Sequence, residues 1–161
     1  MGSRVNRKIA EKKEAEKTAC KTMIFDKPHV PDTSTMRDYQ KECLSAIENA
    51  GPGSHLCVLA TGLGKTYIFS HLPRYGRVLL LSHRDELVHQ PEKYYDCSFG
   101  VEQAGEHSNG EEVVSASVQT LIRRLDKFNP YDFDMIITDD ERVIIRTKLE
   151  KPSKIKGLAL I

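Results

Sequence analysis

The sequence LATGLGKT occupies residues 59–66 and decides how the rest of the chain is interpreted. It follows a short apolar run and precedes a segment with a helical pattern, which is the context that a phosphate-binding loop requires. Gly62 and Gly64 allow the backbone to curl so that its N–H groups point inward. Such a turn, followed by a helix N-terminus, forms a positive cradle for phosphate. We therefore predict that Ala60–Thr66 binds the phosphates of a nucleotide.

Two side chains of this loop have predicted roles of their own. Lys65 is expected to reach the β- and γ-phosphates, and the hydroxyl of Thr66 to hold Mg²⁺. The strict pattern G-x-x-x-x-G-K-[ST] requires glycine at position 59, where this chain has Leu59. The alternative is a glycine-rich strand-to-helix turn whose lysine is merely exposed. The predicted nucleotide contacts within the loop are Thr61, Gly62, Leu63, Gly64, Lys65 and Thr66.

From Met36 onward, short apolar runs alternate with segments of helical spacing. The predicted helices are Arg37–Ala50, Lys65–Leu72, Asp85–Tyr94 and Val118–Lys127. The predicted strands are His55–Leu59, Arg77–Ser82, Ser98–Gln103, Glu112–Ala116 and Asp134–Thr138. Strands separated by helices predict an α/β fold with a parallel sheet covered on both faces. Ligands of such sheets bind at the carboxyl ends of the strands, and the candidate residues lie there.

Composition and charge narrow the class of protein. The 161 residues are 39% hydrophobic, enough for one globular domain with a core. No apolar run approaches the roughly 18 residues that span a bilayer, and no secretory signal is visible, so no membrane partner is expected. The cysteines, Cys20, Cys43, Cys57 and Cys97, show no C-x-x-C spacing. They are expected to be reduced thiols in a cytoplasmic protein.

The net charge of +1 does not indicate whether the chain binds nucleic acid, but the charged residues are unevenly distributed along it. Residues 1–21 contain seven Lys/Arg against three Glu, and residues 141–161 contain six against two. Basic ends can contact phosphates or simply be solvated. The chain divides into a charged arm and linker at 1–35, a domain at 36–140 and a basic tail at 141–161. Within that tail, Val143–Thr147 is a strand-like run, and the tail could supply one more strand or stay loose.

Four further segments lie at predicted strand ends or helix starts: RDYQ at 37–40, LLSHRDELVHQ at 80–90, SASVQTL at 115–121 and FDMIITDD at 133–140. In the second, Ser82, His83 and Arg84 offer donors to phosphate, and the alternative is a helix start with a charged first turn. In the third, Ser117 could cap a helix with Thr120 in its first turn. In the fourth, an apolar strand ends in Asp139, the geometry that holds a carboxylate on Mg²⁺ beside a phosphate loop.

With the loop, these segments make Arg37–Asp139 resemble the first motor domain of superfamily 2 helicases. It looks most like the branch of restriction-enzyme translocating subunits and DNA-repair helicases. In that branch the phosphate loop commonly has this form, without glycine at the position of Leu59. The resemblance implies an incomplete P-loop NTPase fold of the RecA-like kind, with ATP and Mg²⁺ as cofactors. It also implies nucleic acid as partner, DNA in preference to RNA, together with a second motor domain or a partner chain.

The resemblance also implies roles for residues outside the loop. Arg37 and Gln40 match the adenine-reading motif, and an amide such as Gln40 can donate to and accept from the adenine edge at once. Asp139 matches the metal-binding aspartate. The implied contacts to the nucleic-acid backbone are Ser82, His83, Arg84, Ser117, Gln119 and Thr120.

The chain departs from the family immediately after Asp139. The family has glutamate next, to orient or deprotonate the attacking water, whereas this chain has the shorter Asp140. A displacement near 1 Å can lower a rate about a hundredfold, and the neighbouring Glu141 would point to the other face of a strand. No family motif follows, which predicts a truncated or frameshifted product. The alternatives are a non-catalytic binding module and, more weakly, a small kinase-like P-loop enzyme.

Overall fold

A computed structural model of the chain describes residues 24–129, 132–139 and 143–147, with side chains at 27–129 and 132–138. Its strands are β1 (Ile24–His29), β2 (Ser54–Cys57), β3 (Arg74–Gly76), β4 (Val78–Ser82), β5 (Phe99–Glu102), β6 (Val113–Ser117), β7 (Met135–Asp139) and β8 (Val143–Thr147). Its α-helices are α1 (Asp38–Asn49), α2 (Lys65–Ser70) and α3 (Val118–Arg123). Across these ranges, no helix is long and apolar enough to cross a membrane.

Six strands form one sheet in the order β2-β8-β7-β4-β6-β5. Strands β7, β4, β6 and β5 are parallel, which confirms the predicted parallel sheet of an α/β fold. The central β4 is buried throughout, because it has strands on both sides and helices on both faces. Its continuous apolar run, with no polar alternation, is typical of such a strand.

Strand β8 lies between β2 and β7 and runs antiparallel to both. The run Val143–Thr147 therefore supplies a strand, as one of the two expectations had it. Only residues 140–142 separate it from β7, whereas a parallel connection needs a dozen or more residues. The short connection thus imposes the antiparallel direction, and β2 in turn has the same direction as the four parallel strands.

The hydrophobic core forms one layer on each face of the sheet. On one face, Val78 and Leu80 of β4 pack with buried residues of α1 and α2, including Leu44 and Phe69. On the other face, the alternate residues Leu79 and Leu81 pack with Val118, Leu121 and Phe133. Successive side chains of a strand point to opposite faces, so a single apolar strand holds both helical layers in place.

A second, two-stranded sheet pairs β1 with β3 in antiparallel orientation. Neither strand was predicted from the sequence; around β1, Pro28 and Pro31 are typical of a linker. Arg74 of β3 is buried, and its Nε donates to Glu112 Oε1 at 2.8 Å. Its Nη2 donates to Asp96 Oδ1 at 3.4 Å. These ion pairs compensate the desolvation of the guanidinium and attach β3 to the amino-terminal edge of the main sheet.

The predicted continuous helix at Asp85–Tyr94 is wrong. Two 3₁₀ turns, Asp85–Leu87 and Gln90–Tyr94, occupy the segment instead. Pro91 explains the interruption, because proline has no N–H and its ring clashes with the carbonyl four residues earlier in an α-helix. Helix α3 also ends at Arg123, and a separate 3₁₀ turn at Leu125–Lys127 follows it.

Candidate nucleotide and nucleic-acid site

The candidate residues share the carboxyl-terminal edge of the sheet. Ser82 of β4 lies opposite Asp139 of β7 on one side and Ser117 of β6 on the other. On the far side of β7, Ile144 of β8 is paired with both Thr138 and Leu56. The strand before the phosphate loop is therefore separated from β7 by one strand, or about 10 Å at ordinary strand spacing. This arrangement brings the predicted metal and phosphate residues to one edge.

Both glycines of the phosphate loop have left-handed conformations, which permit the curled backbone that the sequence predicts. Gly62 has φ +85° and Gly64 has φ +75°, values that other residues adopt only with strain. Gly64 is the residue before α2, and its carbonyl oxygen accepts from the N–H of Ile68 at 3.0 Å. A Cβ at Gly64 would lie 3.0 Å from Nε2 of Gln40, whereas one at Gly62 would meet nothing within 4 Å. The two glycines are thus needed for different reasons.

Helix α1 holds the loop through a single carbonyl group. The carbonyl oxygen of Leu63 accepts from the hydroxyl of Tyr39 at 3.2 Å and from Nε2 of Gln40 at 3.3 Å. In a planar trans peptide, the N–H of the next residue points the opposite way from the carbonyl. These two donors therefore aim the N–H of Gly64 away from α1. An inward-pointing amide of this kind is what an anion-binding loop needs.

Both ends of the Gln40 amide have partners within the domain. Its Oε1 accepts from the backbone N–H of Arg37 at 3.0 Å, and the side chain is buried. In this arrangement Gln40 positions the phosphate loop, and reading an adenine edge would require it to exchange these partners. The adenine role of Gln40 and Arg37 therefore stays a prediction, and Arg37 itself is exposed at the start of α1.

The other residues predicted to contact the nucleotide or its metal lie in the loop itself and at the end of β7. Thr61 is exposed, whereas Lys65 and Thr66 are half-buried in the first turn of α2. Asp139 ends β7, and its side chain lies outside the described residues, as do Asp140 and Glu141. The catalytic assignment of Asp140 therefore stays a prediction.

The residues predicted to hold Mg²⁺ have the chemistry that this ion prefers. A hydroxyl from Thr66 and a carboxylate from Asp139 are hard oxygen ligands, and Mg²⁺ is commonly held by one or two carboxylates together with substrate phosphates. Within the described side chains, no group of three His, Cys, Asp or Glu residues is suited to a metal. A site made largely of phosphate oxygens and water does not need such a group.

The first predicted nucleic-acid segment is a tight turn at the end of β4. The hydroxyl of Ser82 accepts from the N–H of Arg84 at 3.3 Å and donates to its carbonyl at 3.1 Å. Ser82 is buried, whereas His83 and Arg84 are exposed. Ser82 therefore shapes the turn, and the two residues that follow it lie exposed at the sheet edge.

The second predicted segment is bonded to the first. Gln119 Nε2 donates to the carbonyl oxygen of His83 at 3.0 Å, and Oε1 of the same amide accepts from the Ser117 hydroxyl at 3.0 Å. The alternative role of Ser117 as a side-chain cap of α3 is not observed, since its hydroxyl bonds to Gln119 instead. The structure thus brings the two segments into one surface, while their contact with nucleic acid stays a prediction.

Two thiols lie behind the phosphate loop. Sγ of Cys43 on α1 is 3.5 Å from Sγ of Cys57 at the end of β2, and both residues are free cysteines. Burial, reinforced by the neighbouring Cys57, raises the pKa of the Cys43 thiol to about 12. Cys43 is therefore protonated at neutral pH. Because nucleophilic attack requires the thiolate, its role here is to pack α1 against β2.

A comparison with known protein families agrees with this geometry. The family model described as "Type III restriction enzyme, res subunit" matches residues 33–146. This range includes the phosphate loop and the two predicted nucleic-acid segments, Ser82–Arg84 and Ser117–Thr120. The chain belongs to this family. Membership of the res-subunit family confirms the resemblance to superfamily 2 helicases of the restriction-subunit type, and the incomplete P-loop fold agrees with it.

Two yeast proteins are similar to this res-subunit domain. One, from Schizosaccharomyces pombe, has the provisional name mitochondrial ATP-dependent helicase irc3 and is 36% identical over 123 residues, covering 65% of this chain and 20% of its own. The other, from Saccharomyces cerevisiae, has the provisional name ATP-dependent helicase IRC3. It is 35% identical over 136 residues, which cover 65% of this chain and 18% of the yeast protein. The chain thus spans about a fifth of the length of these relatives.

The expected cytoplasmic location is contradicted by the mitochondrial name of the S. pombe relative. The expectation depended on reduced thiols and the lack of a secretory signal. Neither observation distinguishes the cytosol from other compartments that keep thiols reduced, so the inference was too narrow.

Proposed function

We propose that this chain is the ATP-binding domain of a DNA helicase or translocase of the res-subunit family. The observation that carries the proposal is the phosphate loop, with Gly62 and Gly64 in left-handed conformations and the Leu63 carbonyl held by α1. Such a loop presents backbone N–H groups to phosphate. The names of the two yeast relatives, both ATP-dependent helicases, support ATP as the nucleotide.

In this proposal each nucleotide-binding residue of the chain has one role. Lys65 compensates charge on the β- and γ-phosphates, while Thr66 and Asp139 hold Mg²⁺. The ion, when bound, supplies charge neutralisation at the phosphate that is transferred. Gln40 and Tyr39 keep the loop in shape by fixing the Leu63 carbonyl, and Asp140 orients the attacking water with reduced efficiency.

The nucleic acid is proposed to lie along the edge formed by Ser82–Arg84 and Ser117–Thr120. Side-chain and backbone donors at such an edge contact phosphates without reading sequence. The hydrogen bond between Gln119 and the His83 carbonyl supports this assignment, because it makes the two segments one continuous surface. DNA is proposed as the substrate, and RNA binding is an outcome that the same experiment resolves.

Hydrolysis is proposed to require a second motor domain or a partner chain that completes the ATP site. The 161-residue chain alone is expected to bind ATP weakly and to hydrolyse it slowly if at all. Steady-state ATPase assays, with and without single-stranded DNA, measure this directly. Strong DNA-stimulated turnover by the purified chain, lost in Lys65→Ala, would overturn the requirement for a second domain.

A second candidate function is a non-catalytic module that binds nucleotide or DNA. The observation that favours it is Asp140, which replaces the longer glutamate of the family. Asp140→Glu discriminates between the two candidates. Assayed together with a second motor domain that completes the ATP site, a motor domain limited by its short carboxylate should gain ATPase activity in this variant, whereas a binding module should gain none and keep its nucleotide affinity.

Binding of nucleic acid can be tested by fluorescence anisotropy with labelled single-stranded DNA and RNA of equal sequence. Arg84→Ala is expected to weaken binding and to reduce the slope of log affinity against log salt by about one. Lys93→Ala is the matched control, because it removes one exposed cation from the turn at 90–94, which packs near α2. Equal losses in the two variants would contradict the proposed edge.

A mitochondrial location is proposed from the name of the S. pombe relative. Fractionation of cells that express the chain from its own gene, followed by protease protection of isolated mitochondria, tests it. Recovery of the chain solely in the cytosolic fraction would contradict this part of the proposal.

A further inference from the structure

Cys43 and Cys57 are a pair of thiols that the proposed function does not use. Their sulfur atoms are 3.5 Å apart, and both side chains are half-buried, so a small oxidant can reach them. A disulfide bond is about 2.05 Å long, and the two sulfurs are therefore about 1.5 Å from bonding distance. A small approach of α1 and β2 is all that separates the two thiols from a covalent bond.

The two cysteines lie on the two elements that hold the phosphate loop. Cys57 is the last residue of β2, three positions before the loop begins. On α1, Cys43 follows Tyr39 by four residues and Gln40 by three, so these side chains share one face of the helix. From that face, Tyr39 and Gln40 donate to the carbonyl oxygen of Leu63. A change in the distance between α1 and β2 therefore alters the distance between the loop and its donors.

We infer that Cys43 and Cys57 form a reversible disulfide bond, and that this bond weakens nucleotide binding by moving α1 relative to the phosphate loop. The sulfurs must approach by about 1.5 Å, whereas the hydrogen bonds from α1 to the loop are already 3.2 and 3.3 Å long. A contact of about 3.6 Å is no longer a hydrogen bond. The effect on the nucleotide rests on the proposed function, whereas the disulfide itself does not.

The oxidant that the reaction needs is a small-molecule disulfide such as glutathione disulfide. The Cys57 thiolate attacks one of its sulfurs, forms a mixed disulfide and releases one glutathione, which takes up the proton that Cys57 has lost. Cys43 then attacks the Cys57 sulfur and displaces the second glutathione, which takes up the Cys43 proton. The two protein thiols together lose two electrons and two protons, and one glutathione disulfide becomes two glutathione molecules.

Cys43 is the second thiol to react. Burial raises the pKa of its thiol to about 12, so it is rarely the thiolate that could attack a free disulfide. Its attack on the mixed disulfide occurs within one molecule, at a sulfur that is 3.5 Å away in the reduced protein. Such proximity compensates for a small thiolate fraction. The pair therefore stays reduced, with Cys43 packing α1 against β2, until an oxidant has reacted at Cys57.

Mass spectrometry identifies the disulfide without reference to the nucleotide. Trypsin leaves both cysteines in one peptide, residues 42–65, since no lysine or arginine lies between them. After the full chain is incubated with glutathione disulfide, this peptide should lose two hydrogens in mass, and dithiothreitol should restore them. In Cys43→Ser the peptide should instead retain one glutathione, and in Cys57→Ser it should remain unmodified. A wild-type peptide that stays reduced, or that carries glutathione without closing, would overturn the disulfide.

Titration of the same samples with ATP tests the effect on the nucleotide. Oxidised wild type should bind ATP about tenfold more weakly than reduced wild type, because the loop loses hydrogen bonds from α1. The difference should vanish in Cys57→Ser and persist in Cys97→Ser, the matched control at another half-buried cysteine. Thermal unfolding of each variant separates these effects from loss of the fold. Unchanged affinity of a chain whose disulfide is verified by mass would overturn the effect on the nucleotide.

Tyr39→Phe combined with Gln40→Glu tests whether α1 transmits the effect. This double variant lacks both donors to the Leu63 carbonyl, so oxidation should lower its ATP affinity by less than about threefold. A loss as large as that of the wild type would overturn the assignment of α1 as the connecting element. If reduced wild type binds no ATP, the proposed function and the effect on the nucleotide fail together, while the mass of the peptide 42–65 still decides whether the disulfide forms.

Discussion

The side-chain amide of Gln40 donates to the carbonyl oxygen of Leu63, 3.3 Å away, and thereby joins α1 to the phosphate loop. The acceptor end of the same amide is used by the N–H of Arg37. Orientation of the loop therefore depends on a residue 23 positions earlier in the chain. Nucleotide affinity should respond to changes at Gln40 even if its amide never touches the base.

Gln40→Glu keeps the size of the side chain and the acceptor for Arg37 but removes the donor to Leu63. A carbonyl that loses its donor costs about 1–3 kcal/mol when it is fully buried. The Leu63 carbonyl is partly buried, and Tyr39 still reaches it at 3.2 Å. We expect ATP affinity, measured by calorimetric titration, to fall about tenfold, which corresponds to about 1.4 kcal/mol. Glu42→Gln, an exposed amide–carboxylate exchange on the same helix, is the control. Equal affinities of the two variants would mean that α1 does not position the loop.

Alanine substitutions at Gly62 and Gly64 separate backbone strain from crowding. Both residues have positive φ, so each substitution should cost about 1–2 kcal/mol in the free energy of unfolding. Gly64→Ala also places a Cβ 3.0 Å from Gln40 Nε2 and should lower nucleotide affinity further. In Gln40→Ala this additional loss should disappear, which a double-mutant cycle measures. Additive effects would contradict the contact.

Stability should depend on the ionisation of Glu102. Burial opposes ionisation, but hydrogen bonds from Arg124 and Ser108 outweigh it and hold the pKa of Glu102 below its ordinary 4.5. Because the folded-state pKa is the lower one, this stabilisation is fully present above the ordinary value and is lost as pH falls through the folded value. Asp96, whose pKa is also lowered despite its partial desolvation, loses its contribution in the acid range as well.

Urea unfolding at a series of pH values between 7 and 3 tests this dependence. Glu102→Gln should be less stable than the wild type by about 1–3 kcal/mol at pH 7, and the difference should shrink towards pH 3. The free energy of unfolding that Glu102→Gln itself loses between pH 7 and pH 3 measures the contribution of the other carboxylates, including Asp96. Parallel stability curves for the two proteins would show that Glu102 is not held as its ionised form.

The parts of the fold that could be predicted from sequence are those governed by local pattern. The apolar run Val78–Leu81 predicts a buried strand, and Gly62 and Gly64 predict a curled backbone before a helix. Both predictions hold because the backbone conformation at these positions depends on the residues themselves. Family membership then agrees with the resemblance derived from the spacing of the motifs.

The parts that were missed depend on residues distant in sequence. Strand β1 exists because it pairs with β3, from His29 with Arg74 to Ile24 with Gly76, and this distant pairing overrides the turn signal of Pro28. The direction of β8 follows from the short connection to β7. A single glutamate such as Glu102 is usually a solvated strand end, and no pattern indicates that Arg124 and Ser108 bury it. Pro91, in contrast, was a local signal that argued against the predicted helix at Asp85–Tyr94.

The central claim is that residues 60–66 hold the phosphates of ATP, and titration of the chain with ATP in the presence and absence of Mg²⁺ tests it most directly. Wild type and Lys93→Ala should show the same saturable binding, strengthened by Mg²⁺. Lys65→Ala should bind at least about tenfold more weakly, because it loses a charge-assisted hydrogen bond worth about 1.5–3 kcal/mol. Thermal unfolding of each variant separates this loss from a loss of the fold. Equal ATP affinity of Lys65→Ala and the wild type, with or without Mg²⁺, would contradict the claim.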